Sequence, residues 1–110
     1  MRLETAKKAI KDIEEFYNEP SLMDMDVNTY IRIYSCEGKH LSSSYYATLS
    51  LRGRNLIKTR GKYINNVHTN GHKFNHEWER KFHINDINRI HVKFLYGDES
   101  IERIYDDSMK

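Results

Sequence analysis

The chain has 110 residues, with 18 Lys and Arg against 16 Asp and Glu, 38% hydrophobic residues, one Pro and one Cys. Leu, Ile, Val and Phe number 25, which supports a thin core in one small domain and sets the chain above the composition of disordered proteins. Apolar runs of four residues or fewer exclude a membrane-spanning helix, and Met1 to Phe16 alternates charged with apolar residues, unlike a leader peptide. The lone Cys36 permits neither an internal disulfide nor a Cys-rich zinc site, and it reads as a packed or half-buried strand residue. These features predict a cytoplasmic protein. Ile, Lys, Asn and Tyr together make up 38 residues, and their A/T-rich codons point to a bacterial or phage genome.

In chain order, residues 1–19 read as one amphipathic helix. Leu3, Ala6, Ala9, Ile10, Ile13, Phe16 and Tyr17 recur every third or fourth position on one face. Pro20 ends the helix, because it lacks an amide proton and disfavours helix in the residue before it. From about residue 26 the period changes to two. Asn28 to Cys36 alternates Tyr30, Arg32 and Tyr34 with Ile31 and Ile33, and Glu37-Gly38-Lys39 supplies a turn. Ser42 to Ser44 read as a strand entry, after which Tyr45, Ala47, Leu49 and Leu51 share one face. Arg52-Gly53-Arg54-Asn55 reads as a turn, Leu56 to Thr59 as a short strand, Arg60-Gly61-Lys62 as another turn, and Tyr63 to Thr69 as a further strand.

Asn70-Gly71 is the strongest hairpin signal, since both residues accept positive φ, and it pairs His68 with Lys73. Extended structure resumes over Glu79 to Ile84, and Asn85 caps a single turn. Ile90, Val92, Phe94 and Tyr96 then face the core. Gly97 to Ser100 closes a last hairpin into Ile101 to Tyr105, and residues 106–110 read as a frayed tail. The expected fold is α+β: an N-terminal helix on a curled antiparallel sheet or small open barrel of five to seven short strands. The strands are ordered as a meander over residues 26–105, in a single domain.

Charge is partitioned along the chain. Residues 1–51 carry net −2, 52–94 net +7 and 95–110 net −3. A basic stripe interleaved with aromatic residues suits nucleic acid, because cations neutralise phosphates and ring faces stack on bases. The candidate partner-binding residues are Arg52, Arg54, Lys58, Arg60, Lys62 and Lys73, with Tyr63 and Trp78 for stacking. Two acidic clusters form a second candidate interface: Glu14, Glu15, Glu19, Asp24 and Asp26, and Asp98, Glu99, Glu102, Asp106 and Asp107.

Signatures of catalysis are missing. No nucleophile elbow or phosphate-cradling glycine loop occurs, and His76 to Arg80 lacks the second histidine of a zinc-peptidase motif. No catalytic residue, metal or cofactor is assigned. His72 and His76 share strand parity and are the weak metal candidates, which would suit a metal-dependent nuclease.

The leading expectation is a non-catalytic binding protein that occupies a surface. Small phage and mobile-element inhibitors of host nucleoproteins and defence nucleases act in this way, anti-CRISPR proteins among them. The partner is then nucleic acid or an acidic surface of a nucleoprotein complex, with no membrane involved. The alternatives are a cellular nucleic-acid-binding module and the metal-dependent nuclease. Exposed tyrosines and short edge strands also allow a homodimer by sheet extension.

Overall fold

A computed structural model describes residues 1–22, 25–66 and 73–108, and the side chains of all of these except 62–66 and 73–78. Helix α1 (Leu3–Tyr17) and a 3₁₀ turn (Pro20–Leu22) precede the strands β1 (Val27–Ser35), β2 (His40–Arg52), β3 (Leu56–Asn66) and β4 (Lys73–His83). A second 3₁₀ turn (Ile84–Asp86) leads into β5 (Ile87–Tyr96) and β6 (Glu99–Asp106). The fold is α+β: one helix packed on a six-stranded antiparallel sheet that does not close. No described helix is long and apolar enough to cross a membrane.

The sheet is not a meander throughout. Its order is β4-β3-β2-β1-β5-β6, so the chain leaves β4 and returns to the far side of β1. Burial explains the placement: Ile31 and Ile33 of β1 lie beside Val92 and Ile90 of β5, and all four are buried. In a flat sheet β4 and β5 would lie four strand spacings apart, about 19 Å. The link from His83 to Ile87 can reach at most about 14 Å. The sheet must therefore curl.

The bend lies in β2. One end of this strand pairs His40 with Tyr34, and the other pairs Arg52 with Leu56. Both ends are tied to the same 3₁₀ turn, through Ile84 N–H donating to Asn55 O (2.7 Å) and Cys36 N–H donating to Asp86 O (3.3 Å). A straight β2 would hold its ends about 40 Å apart, so it folds sharply. A β-bulge between Tyr45 and Thr48 does this, with Tyr46 at φ 50.

Two β1 side chains satisfy the backbone groups freed by the bulge. Asn28 Oδ1 accepts from Tyr46 N–H (2.7 Å), and Thr29 Oγ1 donates to Ala47 O (2.7 Å). The Tyr17 hydroxyl lies 2.7 Å from the same Thr29 oxygen. Because the threonine proton is already used, Tyr17 is the donor, and the end of α1 is pinned to the bend. The extra residue also corrects the expected strand phase. Ser42 and Ser44 point inward before the bulge, Ala47 and Leu49 point inward after it, and Tyr45 and Tyr46 are both exposed.

Gly61 is not a turn, and β3 runs through it without a break. A Cβ there would lie 2.6 Å from Ser44 Cβ, so glycine allows β2 and β3 to close up on the inner face. The β3–β4 register pairs Asn66 with Lys73 and Tyr63 with His76, in place of the expected His68 with Lys73. The Asn70-Gly71 signal itself lies outside the described residues. The turn after β4 takes its cap from His83, whose Nδ1 accepts from Asn85 N–H (3.2 Å), and not from Asn85.

Ala6, Ala9 and Ile13 of α1 pack on the inner sheet face against Ile31, Ile33, Leu49, Ile57, Ile90 and Val92. The small alanines let the helix approach closely. Asp12 is buried on the same helix face because Tyr105 O–H donates to its Oδ2 at 2.8 Å. Burial and this hydrogen bond raise the Tyr105 pKa well above that of an ordinary phenol. Arg2, the N-cap of α1, makes no side-chain cap. Asp107 supplies one from the opposite end of the sequence, accepting from Arg2 N–H (2.8 Å) and Thr5 O–H (3.1 Å). Asp106 and Asp107 are thus part of the fold and not of a frayed tail. Cys36 lies just past β1 and is exposed, its thiol donating to Asn85 O (3.3 Å).

Candidate binding face

Strand pairing places directly opposed residues on the same side of the sheet, so the two faces can be followed from register. The inner face is closed by α1. The outer face carries Tyr30, Arg32 and Tyr34 of β1, Tyr45 of β2, Lys58 and Arg60 of β3, and Arg89, His91 and Lys93 of β5. Tyr30 is the neighbour of both Tyr45 and Lys93, and Tyr34 the neighbour of Arg89 and His40.

The rings and cations of this face touch. Tyr30 and Tyr45 have centroids 4.5 Å apart at an interplanar angle of 31°, and the Arg32 guanidinium lies 5.8 Å from the Tyr30 centroid. The Arg89 guanidinium sits 4.6 Å over Tyr34, with the His91 ring 4.8 Å away on the same tyrosine. Arg32 Nη2 also donates to Glu102 Oε1 at 2.8 Å. Burial, and then the neighbouring Arg89 and Arg32, push the His91 pKa below the usual histidine value, against the opposing pull of Glu102. His91 is therefore a neutral spacer at pH 7. Among the described residues Arg89 and Lys93 form no ion pair.

The residues expected from sequence are only partly gathered here. Arg52 and Arg54 are exposed at the β2–β3 turn. Lys58 and Arg60 share the outer face, but Lys58 Nζ is bound by Glu79 Oε2 at 3.0 Å, and Glu79 is also the register partner of Arg60. Lys58, first by hydrogen bond and then by charge, accordingly holds the exposed Glu79 carboxyl below its usual pKa. Lys62 has the strand parity of Arg60, whereas Tyr63 and Trp78 fall on the alternate parity with Gly61. The two proposed stackers thus alternate with the cations they were to accompany. Lys73 pairs with Asn66 at the end of β4.

His72 and His68 lie outside the described residues, and His76 is placed only by its register opposite Tyr63. Among the described residues no three His, Cys, Asp or Glu side chains converge as a metal site.

Sequence reasoning placed Tyr30, Arg32 and Tyr34 together on one face but did not make them a site. The missing signal was long-range: β5 had to be recognised as the partner of β1 before Arg89 and Lys93 could join them. Comparison with known families, curated proteins and solved structures finds no match to the chain.

Proposed function

We propose that this protein is a non-catalytic binding protein whose outer sheet face docks single-stranded nucleic acid. The observation that carries this reading is the Tyr34–Arg89 pair beside Tyr30, Tyr45 and Lys93 on a face that no described helix covers. The exposed Tyr45 ring and the half-buried Tyr30 and Tyr34 beside it offer sequence-tolerant stacking, and the adjacent cations meet phosphates. The exposed Arg52 and Arg54 extend the positive field beyond the rings. By covering a strand, the protein would block the next step of any nucleoprotein machine that needs it, so the surface-occupying inhibitor reading and the cellular-module reading share this interface.

The test is fluorescence anisotropy with a labelled oligothymidylate and its RNA counterpart. Contact with three or four phosphates gives a log–log salt slope of about −2 to −3. Reversal of Arg89 and Lys93 to Glu should abolish binding without altering the circular dichroism spectrum. Absence of binding to either strand at low salt would refute the proposal.

A further inference from the structure

Acidic residues from both of the clusters come to one end of the molecule, Glu15, Glu19 and Asp26 from the first and Asp98 and Glu99 from the second, whereas Glu102 pairs with Arg32 and Asp107 lies at the start of α1. Gly97 N–H donates to Asp26 O at 3.2 Å, which brings the β5–β6 turn against the start of β1, and Glu15 and Glu19 stand nearby at the end of α1. Between them lies a groove of about 380 Å³. Its floor is apolar: Phe16 packs edge-on against Phe94 at 5.0 Å and Tyr96 at 6.2 Å, and Ile101, 46% exposed, closes the side formed by β6. Asp12, Glu15, Glu19 and Arg103 line the groove: Asp12 is buried and held by Lys8 (3.2 Å) and Arg103 (3.5 Å), Lys11 lies 3.8 Å from the exposed Glu15, and Glu19 forms no ion pair among the described residues.

The strand bordering the groove is also open. Among the described residues β6 pairs with β5 alone, so its outer edge has backbone donors and acceptors with no described strand beside them. Edges of this kind are usually blunted by charged side chains, Pro or a bulge. Glu99 to Asp106 has no Pro and an unbroken ladder with β5; its charges are Glu99, Glu102 and Asp106 against Arg103, which deter an acidic strand more than a basic one, and Ile101 and Ile104 are each nearly half exposed, on opposite faces.

We propose that this groove and edge together dock an extended basic segment of a partner protein, added as a seventh strand beside β6. A strand in that position turns every second side chain toward the groove, about 6.7 Å apart. Aliphatic side chains of the segment cover Ile101 and enter the apolar floor, and its Lys or Arg residues meet Glu15 and Glu19. Charge complementarity selects the occupant, because the rim rejects acidic segments.

A second copy of this chain fits poorly. A two-fold antiparallel pair must match residues whose numbers sum to an even value. The two longest registers for β6 centre Glu102 on Glu102 or Arg103 on Arg103, each a like-charge pair. This inference does not depend on the nucleic-acid reading, since it uses the opposite sign of charge and a different part of the surface.

The probe is a fluorescein-labelled eight-residue peptide, Lys-Thr-Val-Thr-Lys-Thr-Val-Thr, whose groove-facing positions are in turn Lys and Val, titrated against the full chain by anisotropy. Saturable one-to-one binding is expected. Glu15→Lys with Glu19→Lys, both at exposed positions, should weaken it by about tenfold or more, and Ile101→Asp should weaken it comparably. A peptide of the same charge with alternate backbone nitrogens methylated should not bind, because it cannot form the edge ladder. The proposal is overturned if the peptide does not bind, or if the methylated peptide binds equally well, which would reduce the effect to bulk charge. It is also overturned if light scattering shows concentration-dependent self-association lost in Ile101→Asp, which would make a second copy the occupant. Oligonucleotide binding, measured on the same variants, should survive every one of these substitutions, so failure here is separable from failure of the outer face.

Discussion

The wing formed by the second half of β2 with β3 and β4, and the flank formed by β1 and β5, both present cations outward, yet they do so in different chemical settings. On the wing, Lys58 is taken up by Glu79, and Arg52 and Arg54 stand at a turn tip. On the flank, Arg89 lies over Tyr34, and Lys93 flanks Tyr30 opposite the tyrosine pair. The wing offers a phosphate only a charge in water, which salt screens within about 10 Å. The flank offers charge and a ring face together. Counting charge by position marked the stretch 52–94, which holds cations of both regions, and could not tell their settings apart.

The largest effect should come from disturbing the joint between the two regions. Gly61→Ala forces a methyl group against Ser44 Cβ and should cost about 2–3 kcal/mol in denaturant unfolding. Adding Ser44→Gly should recover most of the loss. If the single variant is as stable as the parent, close strand approach is not what glycine provides there.

Next comes the bend. Thr29→Val keeps the side-chain shape but strips Ala47 O of its donor and Tyr17 of its acceptor, for about 2 kcal/mol. Unchanged thermal stability would show that the bulge stands without this support.

Tyr34→Ala probes the flank directly and should weaken oligothymidylate binding by about tenfold to a hundredfold, the range for loss of one stacked base. Arg54→Ala, on the wing, should only reduce the salt slope by about 0.7 if it touches one phosphate. Equal losses in affinity would erase the distinction between the two regions.

The smallest effect is a pH dependence. The folded state holds His91 below its ordinary pKa of 6.5, so on acidification the unfolded chain takes up that proton first. The contribution of His91 to stability is constant above about pH 6.5, declines as pH falls toward the folded-state pKa, and is constant again below it. Arg32, Arg89, Tyr34 and Glu102 are the groups around the ring. His91→Phe should remove this part of the slope in urea titrations between pH 7 and pH 5.

Much of the fold was legible because α1, β1 and β5 follow their periods closely. Ala6, Ala9 and Ile13 carry the helical stripe, and Ile31, Ile33, Ile90 and Val92 carry the strand alternation. What escaped was non-local. Tyr46 adopts positive φ, which aromatic residues rarely do, so nothing announced the bulge that shifts the phase of β2. Gly61 was read by its commonest role, a turn, when its purpose depends on Ser44. Asp12 carries no apolar signal in the sequence, and only Tyr105 makes it an interior residue. The outer face was half legible in the same way: three β1 residues could be read from alternation, while Arg89 and Lys93 required the return of β5 to β1.

The cap that Asp107 places on Arg2 and Thr5 has a consequence for the order of folding. The helix is synthesised before the strands it packs on, but the acceptor that completes its first turn arrives 105 residues after Arg2. The β1–β5 ladder likewise joins segments far apart in sequence. A nascent chain can form α1 only transiently and must keep its apolar stripe in reserve until β6 has emerged. Folding of these elements therefore waits on β6 and Asp107, and it should be slow for contacts so far apart in sequence.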